Sequence, residues 1–166
     1  MARFSVNTDR FDPYLNFKFK VMFDGDYVAG LSKCSALRRV TEVTPWHEAG
    51  DHAGPRQIPG KTRYEPITLE SGITLDHRFE QWAQAVNNYK GEAAMSLRAF
   101  RKNLTIDVFN LQGGLVLRYN VYRCWVSEYQ ALPELSADGH AVMLTTLKLE
   151  NEGWERDVNV PELPET

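Results

Sequence analysis

Alternation of apolar and polar residues near the start of the chain is its first structural signal. Between Leu15 and Asp24, apolar side chains take every second position, and Asn16, two lysines and the exception Met22 lie between them. A period of two places the apolar side chains on one face of a β-strand. Residues 24–26 form a turn signal, since Gly and Asp favour tight turns, and residues 27–34 complete a predicted hairpin. The apolar positions are Leu15, Phe17, Phe19, Val21 and Phe23.

Later segments also have strand character. The alternation in the longest of them slips near Tyr122, which predicts a bulge or bend there. Together with the first hairpin, they give about seven strands joined mostly by short turns, which is typical of antiparallel sheets. We therefore predict a mainly β protein, a two-sheet antiparallel β-barrel or sandwich. The further strands are predicted over residues 37–44, 64–73, 103–110, 115–130 and 140–151.

One segment has the spacing of a helix rather than a strand. Apolar residues from Phe79 to Tyr89 recur on one side of a 3.6-residue period, which predicts an amphipathic helix over about residues 76–89. Thr74 or Asp76 is a suitable cap for its start, and Gly91 follows its end. This helix is expected to flank the sheets.

Three segments have no periodicity. Residues 45–61 contain three prolines and three glycines, so we predict a long loop there, and loops of that length usually bind something or are disordered. We also predict a flexible N-terminal arm over about residues 1–14 and a flexible tail over about residues 155–166. The whole chain, 1–166, is expected to be a single domain, because one core commonly serves about 100–200 residues.

Composition excludes several classes of protein. Hydrophobic residues make up 43% and charged residues 25% of the 166, and the formal net charge is −3, too small to indicate binding to nucleic acid or to a membrane. No apolar run reaches the length of a membrane helix, and no secretory signal is expected at the first residues. Cys34 and Cys124 are expected to be reduced thiols.

The residues that resemble chemical motifs lack the required spacing. Pro59-Gly60-Lys61-Thr62 resembles the end of a phosphate-binding loop, but Pro55 stands where that motif requires Gly. His47, Glu48 and His52 do not have the His-Glu-x-x-His spacing of a zinc protease. Cys34 with His47 remains open as a nucleophile pair, although no pattern supports it. We therefore predict a protein that is not an enzyme and needs no cofactor or metal.

Polar residues alternate with apolar ones on several strands, so one sheet has a continuous polar face in contact with water. We call it the wet face. Antiparallel sheets often do this in monomers. Combined with the long loop and the irregular termini, however, the pattern favours a subunit of an assembly, whose sheet edges and loops contact neighbouring subunits. Four basic residues are candidates for this wet face: Lys18, Lys20, Arg118 and Lys148.

Several motifs resemble one family. The most specific is Pro59-Gly60-Lys61-Thr62 followed by Tyr64-Glu65-Pro66-Ile67-Thr68-Leu69, and Gly30-Leu31-Ser32 and Arg101–Ile106 also fit. From Leu15 to Trp154 the chain is similar to the tail-tube proteins of contractile phages, which include the inner-tube proteins of R-type pyocins and extracellular contractile injection systems.

The resemblance implies a function and partners. Members form homohexameric rings that stack into a rigid tube inside a contractile sheath, with strands of six subunits merging into one barrel around the channel. It implies sheath, baseplate and tube-terminator proteins as partners, and cargo or DNA in the channel. It also implies assembly in the bacterial cytoplasm, as part of a phage tail or of a released phage-tail-like particle. The wet face, with Lys18, Lys20, Arg118 or Lys148, would line the channel.

The predicted loop is the candidate interface between subunits and rings. Its Trp46 favours binding, because an exposed indole forgoes roughly 2–3 kcal/mol of burial. An alternative function, a small-molecule-binding β-barrel, is also compatible with long hairpins and aromatic residues. The candidate interface residues are Trp46, His47, Glu48, His52, Arg56, Gln57 and Lys61.

Overall fold

The computed structural model describes residues 18–28, 31–50, 52–73, 77–91 and 99–161. The predicted arm over residues 1–14, the start of the first strand and the cap candidates Thr74 and Asp76 lie outside the described residues. The strands are β1 (Phe19–Phe23), β2 (Asp26–Tyr27), β3 (Leu31–Cys34), β4 (Arg39–Trp46), β5 (Arg56–Tyr64), β6 (Ile67–Gly72), β7 (Lys102–Phe109), β8 (Leu115–Gln130), β9 (Leu144–Glu150) and β10 (Gly153–Arg156), and the helix is α1 (Arg78–Val86).

Antiparallel pairing joins most of these strands into one eight-stranded sheet, in the order β2-β1-β7-β8-β9-β6-β3, with β10 also paired to β8. The first part of β8 pairs with β7 and β10, and its last part, residues 125–130, pairs with β9. We call the part formed by β1, β2, β7, β10 and the first part of β8 the β7 half-sheet. The part formed by β3, β6, β9 and residues 125–130 of β8 is the β9 half-sheet. The predicted mainly β, antiparallel architecture with one helix is confirmed.

The two half-sheets enclose a single core. Period-two alternation turns Val21, Leu104 and Val121 inward from the β7 half-sheet, and Leu69 and Leu147 inward from the β9 half-sheet. All five are fully buried in one cluster, so the half-sheets face each other and their outer faces point in opposite directions.

Helix α1 packs against this core through Phe79 and Trp82, which are buried. The Trp82 indole Nε1–H donates to the carbonyl of Phe100 at 2.7 Å. This bond satisfies the polar atom of a side chain that is only 1% exposed.

A sharp bend in β8 separates the half-sheets. Arg123 has a φ of 53°, which a non-glycine residue seldom adopts, and the Oδ1 of Asn103 accepts its backbone N–H at 3.0 Å. On the facing strand, Gly153 has a φ of 149°, and a Cβ there would lie 3.5 Å from the Tyr64 ring. The bulge predicted near Tyr122 is therefore confirmed, one residue along the chain.

The predicted loop over residues 45–61 is wrong in extent. The strands β4 and β5 form a hairpin of their own, and only residues 47–55 connect them. Prolines are tolerated because neither strand pairs with a second neighbour among the described residues, so a missing N–H breaks no inner ladder. Gly60 lies at a register shift, where a Cβ would approach the Glu42 carbonyl oxygen to 3.2 Å.

Other boundaries also differ from the predictions. The helix ends at Val86, because Asn87 is extended and Asn88 accepts the Lys90 N–H through its side chain. Tyr89, assigned to the apolar face of the helix, is instead 89% exposed. The predicted tail begins as strand, since β10 reaches Arg156 by pairing with β8.

Replacing Arg123 by Val tests the bend. The free energy of unfolding should fall by about 1–2 kcal/mol, because a β-branched residue is strained at positive φ. Arg123→Gly is the control: it relieves the strain and loses an exposed ion pair with Glu152, worth about 0–1 kcal/mol. Urea unfolding measures both variants. Equal stability of the Val and Gly variants would contradict a strained bend at this position.

Candidate assembly surfaces

The β4–β5 hairpin is exposed on both faces. Nearly every residue from Arg39 to Arg63 that the structure describes is exposed, and none of them joins the core cluster. An isolated two-stranded hairpin is at best marginally stable in water. The hairpin also exposes large apolar side chains, among them Val43 at 63% and Trp46 at 54%. Such a ribbon has the character of a surface that a partner covers.

The two faces of the hairpin differ in chemistry. The register pairs Val43 with Pro59 and Pro45 with Gln57, so one face is uncharged over its outer part. The other face pairs Thr44 with Ile58 and Trp46 with Arg56, and it carries both the indole and a positive charge.

A set of polar and aromatic contacts fixes the base of the hairpin. The Tyr64 ring packs edge-on against Trp154, which in turn packs edge-on against Tyr119, each at 6.0 Å between ring centroids. The Asn151 side-chain amide donates to the Glu65 backbone carbonyl at 3.1 Å, and the Glu65 N–H donates to the Arg38 backbone carbonyl at 2.9 Å. These contacts with Trp154 and Asn151 therefore determine the direction in which the hairpin leaves the rest of the protein.

The structure gathers the predicted interface residues on this hairpin. Trp46 ends β4, while Arg56, Gln57 and Lys61 lie on β5. His47, Glu48 and His52 lie in the connection between the strands. All seven are exposed.

A buried carboxylate lies on the outer face of the β7 half-sheet. Asp107 is fully buried and accepts two hydrogen bonds from Arg118, at 2.7 and 2.9 Å, and one from the Tyr27 hydroxyl at 3.0 Å. The bond to Asp107 raises the pKa of Tyr27 above its ordinary value, and it raises that of Arg118 likewise. The ammonium of Lys20 lies 5.2 Å from the Tyr27 ring centroid. The period-two alternation of β7 by itself places Asp107 on the polar face of the strand, and it does not reveal the cross-strand ion pair that buries the carboxylate.

The four candidate channel residues do not share one surface. Lys20 and Arg118 pair in register with Asp107 from opposite sides, so both lie on the outer face of the β7 half-sheet. In the same half-sheet, Lys18 donates to the Leu111 carbonyl at 2.6 Å. Lys148 lies on the outer face of the β9 half-sheet, opposite Thr68 and Glu128. Because the outer faces point in opposite directions, Lys148 lies on a different surface from the other three.

Two strand edges of the β9 half-sheet have no strand partner among the described residues. One is the outer edge of β3, and the other is the edge of residues 125–130, beyond the point where β7 ends its pairing with β8. Free edges present unpaired backbone donors and acceptors, which readily pair with another chain. Sequence patterns did not predict these edges, because alternation does not specify which strands are neighbours.

Both cysteines lie at least partly inside the protein. Burial raises the pKa of Cys34 to about 11 and that of Cys124 to about 12, so both are thiols rather than nucleophilic thiolates near neutral pH. In the part of the chain that the structure describes, no three His, Cys, Asp or Glu side chains are placed to hold a metal ion. None of the described helices is long and apolar enough to cross a membrane.

A family comparison identifies the chain. The model of the T4-like virus tail tube protein gp19 matches residues 15–155. The chain belongs to this tail tube family. It is therefore a structural inner-tube subunit, and a structural family of this kind implies a non-enzymatic role. Among curated proteins, no sequence matches significantly.

Solved structures share the fold of this tail tube protein. A chain of the anti-feeding prophage (AFP) baseplate has a TM-score of 0.73 at 17% identity, covering 89% of this chain and 97% of that one. A chain of the PVC sheath-tube complex, an extracellular contractile injection system in its extended state, has a TM-score of 0.70 at 18% identity, covering 87% and 91%. Hcp1 from Flavobacterium johnsoniae has a TM-score of 0.56 at 14% identity, covering 90% and 100%.

Replacing Asp107 by Ala tests the ion pair of the β7 half-sheet. Arg118 and Tyr27 would both lose their acceptor, so the free energy of unfolding should fall by roughly 1.5–3 kcal/mol, as for hydrogen bonds to charged groups. The control is Glu155→Gln, which alters an exposed carboxylate bonded to Tyr122 on the same face and should change stability by less than about 0.5 kcal/mol. Chemical denaturation would refute the assignment if the two variants were equally stable.

Proposed function

We propose that this tail tube protein forms homohexameric rings that stack into the inner tube of a contractile phage tail or contractile injection system. The observation that carries the proposal is a projecting hairpin, exposed on both faces, in a chain of this family. A subunit that leaves this much apolar side chain in water gains stability when a neighbour covers it.

Ring closure uses the free edges of the β9 half-sheet. The outer edge of β3 in one subunit pairs with residues 125–130 of β8 in the next, in the manner of strand addition. Repetition of this head-to-tail contact closes a ring, and the joined half-sheets form a continuous barrel. The other edges of the sheet are less suited to this role, since β2 has two residues and β10 carries charges at its end.

The channel is then lined by the outer face of the β9 half-sheet. The core occupies the other side of these strands, so this outer face turns toward the axis of the barrel. The face is mainly polar, with Trp125 and Leu144 as its large apolar members, and it carries both signs of charge, which suits a water-filled passage for cargo or DNA. Its charged residues are Lys33, Glu70, Glu128, Lys148 and Glu150.

The remaining surfaces serve the other contacts of a tube. The hairpin, with Trp46, His47, Glu48, His52, Arg56, Gln57 and Lys61, bridges subunits and rings. Sheath, baseplate and terminator proteins are the proposed partners, in keeping with similar folds in a baseplate, a sheath-tube complex and a tube-terminating cap. Assembly takes place in the bacterial cytoplasm before the particle is released.

The alternative of a small-molecule-binding barrel has less support. The space between the half-sheets is filled by fully buried side chains such as Ile67, Leu104 and Leu149, rather than left open for a ligand.

The assembly prediction is that the purified protein forms six-membered rings or stacked tubes at high concentration without any cofactor. Negative-stain electron microscopy would count the subunits of each ring, and light scattering would follow the mass with concentration. A species that stays monomeric up to millimolar concentration would contradict the proposal. Rings of another number would contradict the hexamer alone.

The channel prediction compares Lys148→Cys with Lys20→Cys, which lie on opposite outer faces. In free subunits both cysteines should react with small and bulky thiol reagents. In capped tubes Lys148→Cys should react only with the small reagent, whereas Lys20→Cys should react with both. Equal labelling of Lys148→Cys by the bulky reagent in both states would place the β9 half-sheet outside the channel.

A further inference from the structure

Exposed apolar side chains are concentrated at a second place besides the hairpin. The connection between β8 and β9, residues 131–143, exposes several of them in one short segment. Scattered apolar residues are ordinary on a protein surface, but a contiguous group marks a contact site. The exposed members are Leu132, Leu135, Val142 and Met143.

A cleft adjoins this connection. It has a volume of about 230 Å³ and lies between the start of α1 and the ends of β6, β8 and β9, with Ile73 and Ala131 in its lining. The Ile73 N–H donates to the Met143 carbonyl at 3.2 Å, so the cleft and the connection form one surface. We call this surface the loop–cleft patch: Ile73, Ala131, Leu132, Leu135, Val142 and Met143.

The size of the cleft favours a side chain over a small molecule. Ligand pockets usually measure about 300–1,000 Å³, and this cleft is smaller and open to solvent. Its rim carries the Glu80 carboxylate and the Arg78 guanidinium, and Arg78 already donates to the Tyr27 carbonyl at 3.0 Å. A single large side chain with one polar atom would fit such a site.

Charge indicates what covers the patch. Residues 131–143 contain Glu134 and Asp138 and no lysine or arginine. At the tip of the hairpin, one face combines Trp46 and Ile58 with Arg56. Apolar groups and opposite charges therefore match between the two surfaces. Both surfaces are exposed in the same monomer, so neither one covers the other.

We propose that the hairpin tip of one subunit, through Trp46, Ile58 and Arg56, docks onto the loop–cleft patch of a second copy of this chain. The inference rests on the proposed tube function and adds the residues that meet. The contact is head-to-tail, since its two sides are different surfaces of one chain, as a repeating tube requires. Trp46 enters the cleft as the anchor, a role for which tryptophan is enriched in interfaces.

The first test measures the critical concentration of tube assembly by sedimentation. Trp46→Ala should raise it about 30-fold, the effect of losing an interface hot spot. Tyr89→Ala is the matched control, because Tyr89 is an exposed aromatic side chain outside both the hairpin and the loop–cleft patch, and it should change assembly by less than about threefold. A Trp46→Ala variant that assembles like the wild type would overturn the inference and leave the tube function standing.

The second test keeps Trp46, Ile58 and Arg56 in place. Chains carrying Thr44→Cys, on the same hairpin face as Trp46, are mixed with chains carrying Ser136→Cys, next to Leu135 of the patch, and oxidised during assembly. A disulfide-linked dimer containing one chain of each kind is expected. Assembled tubes without this dimer would overturn the inference, and a wild type that never assembles would overturn the tube function together with it.

Discussion

The bend in β8 is the constraint on which the rest of the structure depends. A sheet of eight strands folds over one core only if its longest strand turns sharply, and it does so where Arg123 takes positive φ opposite Gly153. The ordinary twist of a sheet would not by itself bring Leu104 and Leu147 into one cluster. The same bend leaves residues 125–130 beyond the reach of β7, so this edge has no strand partner within the described part of the chain.

Stability and assembly are assigned to different parts of the chain. The core cluster, Trp82 with its hydrogen bond and the Asp107–Arg118 pair belong to the folded subunit itself. The hairpin and the connection of residues 131–143 contribute little to that core and expose apolar side chains. This separation suits a tube protein, because the surfaces that we propose bind neighbours remain exposed without weakening the monomer.

The base of the hairpin links the two parts. Tyr64 belongs to the hairpin but packs on Trp154, and Trp154 packs on Tyr119 of the body. A hairpin that is fixed at its base points in a defined direction. It therefore loses less conformational entropy in the proposed docking onto a second subunit. Glycine is favoured at position 153 because its φ of 149° would strain a residue that has a side chain.

Sequence alone determined the local features of this protein. The alternation from Phe19 to Phe23 specified which side chains point inward, the slip near Tyr122 predicted the bend, and the motif around Pro59 to Leu69 indicated the family. Each of these depends on neighbouring residues only. Glycine and proline between 45 and 61 were misread as a loop, because a strand without a second neighbour tolerates both.

Tertiary structure decided everything that depends on which strands adjoin. Period two shows that Lys20 and Lys148 each face away from the core, but only the folding of the sheet puts them on opposite outer surfaces. The burial of Asp107 likewise requires Arg118 and Tyr27 to arrive from other strands. Pairing between distant strands, and hence the free edges, follows from packing around a common core, and no local pattern of residues encodes it.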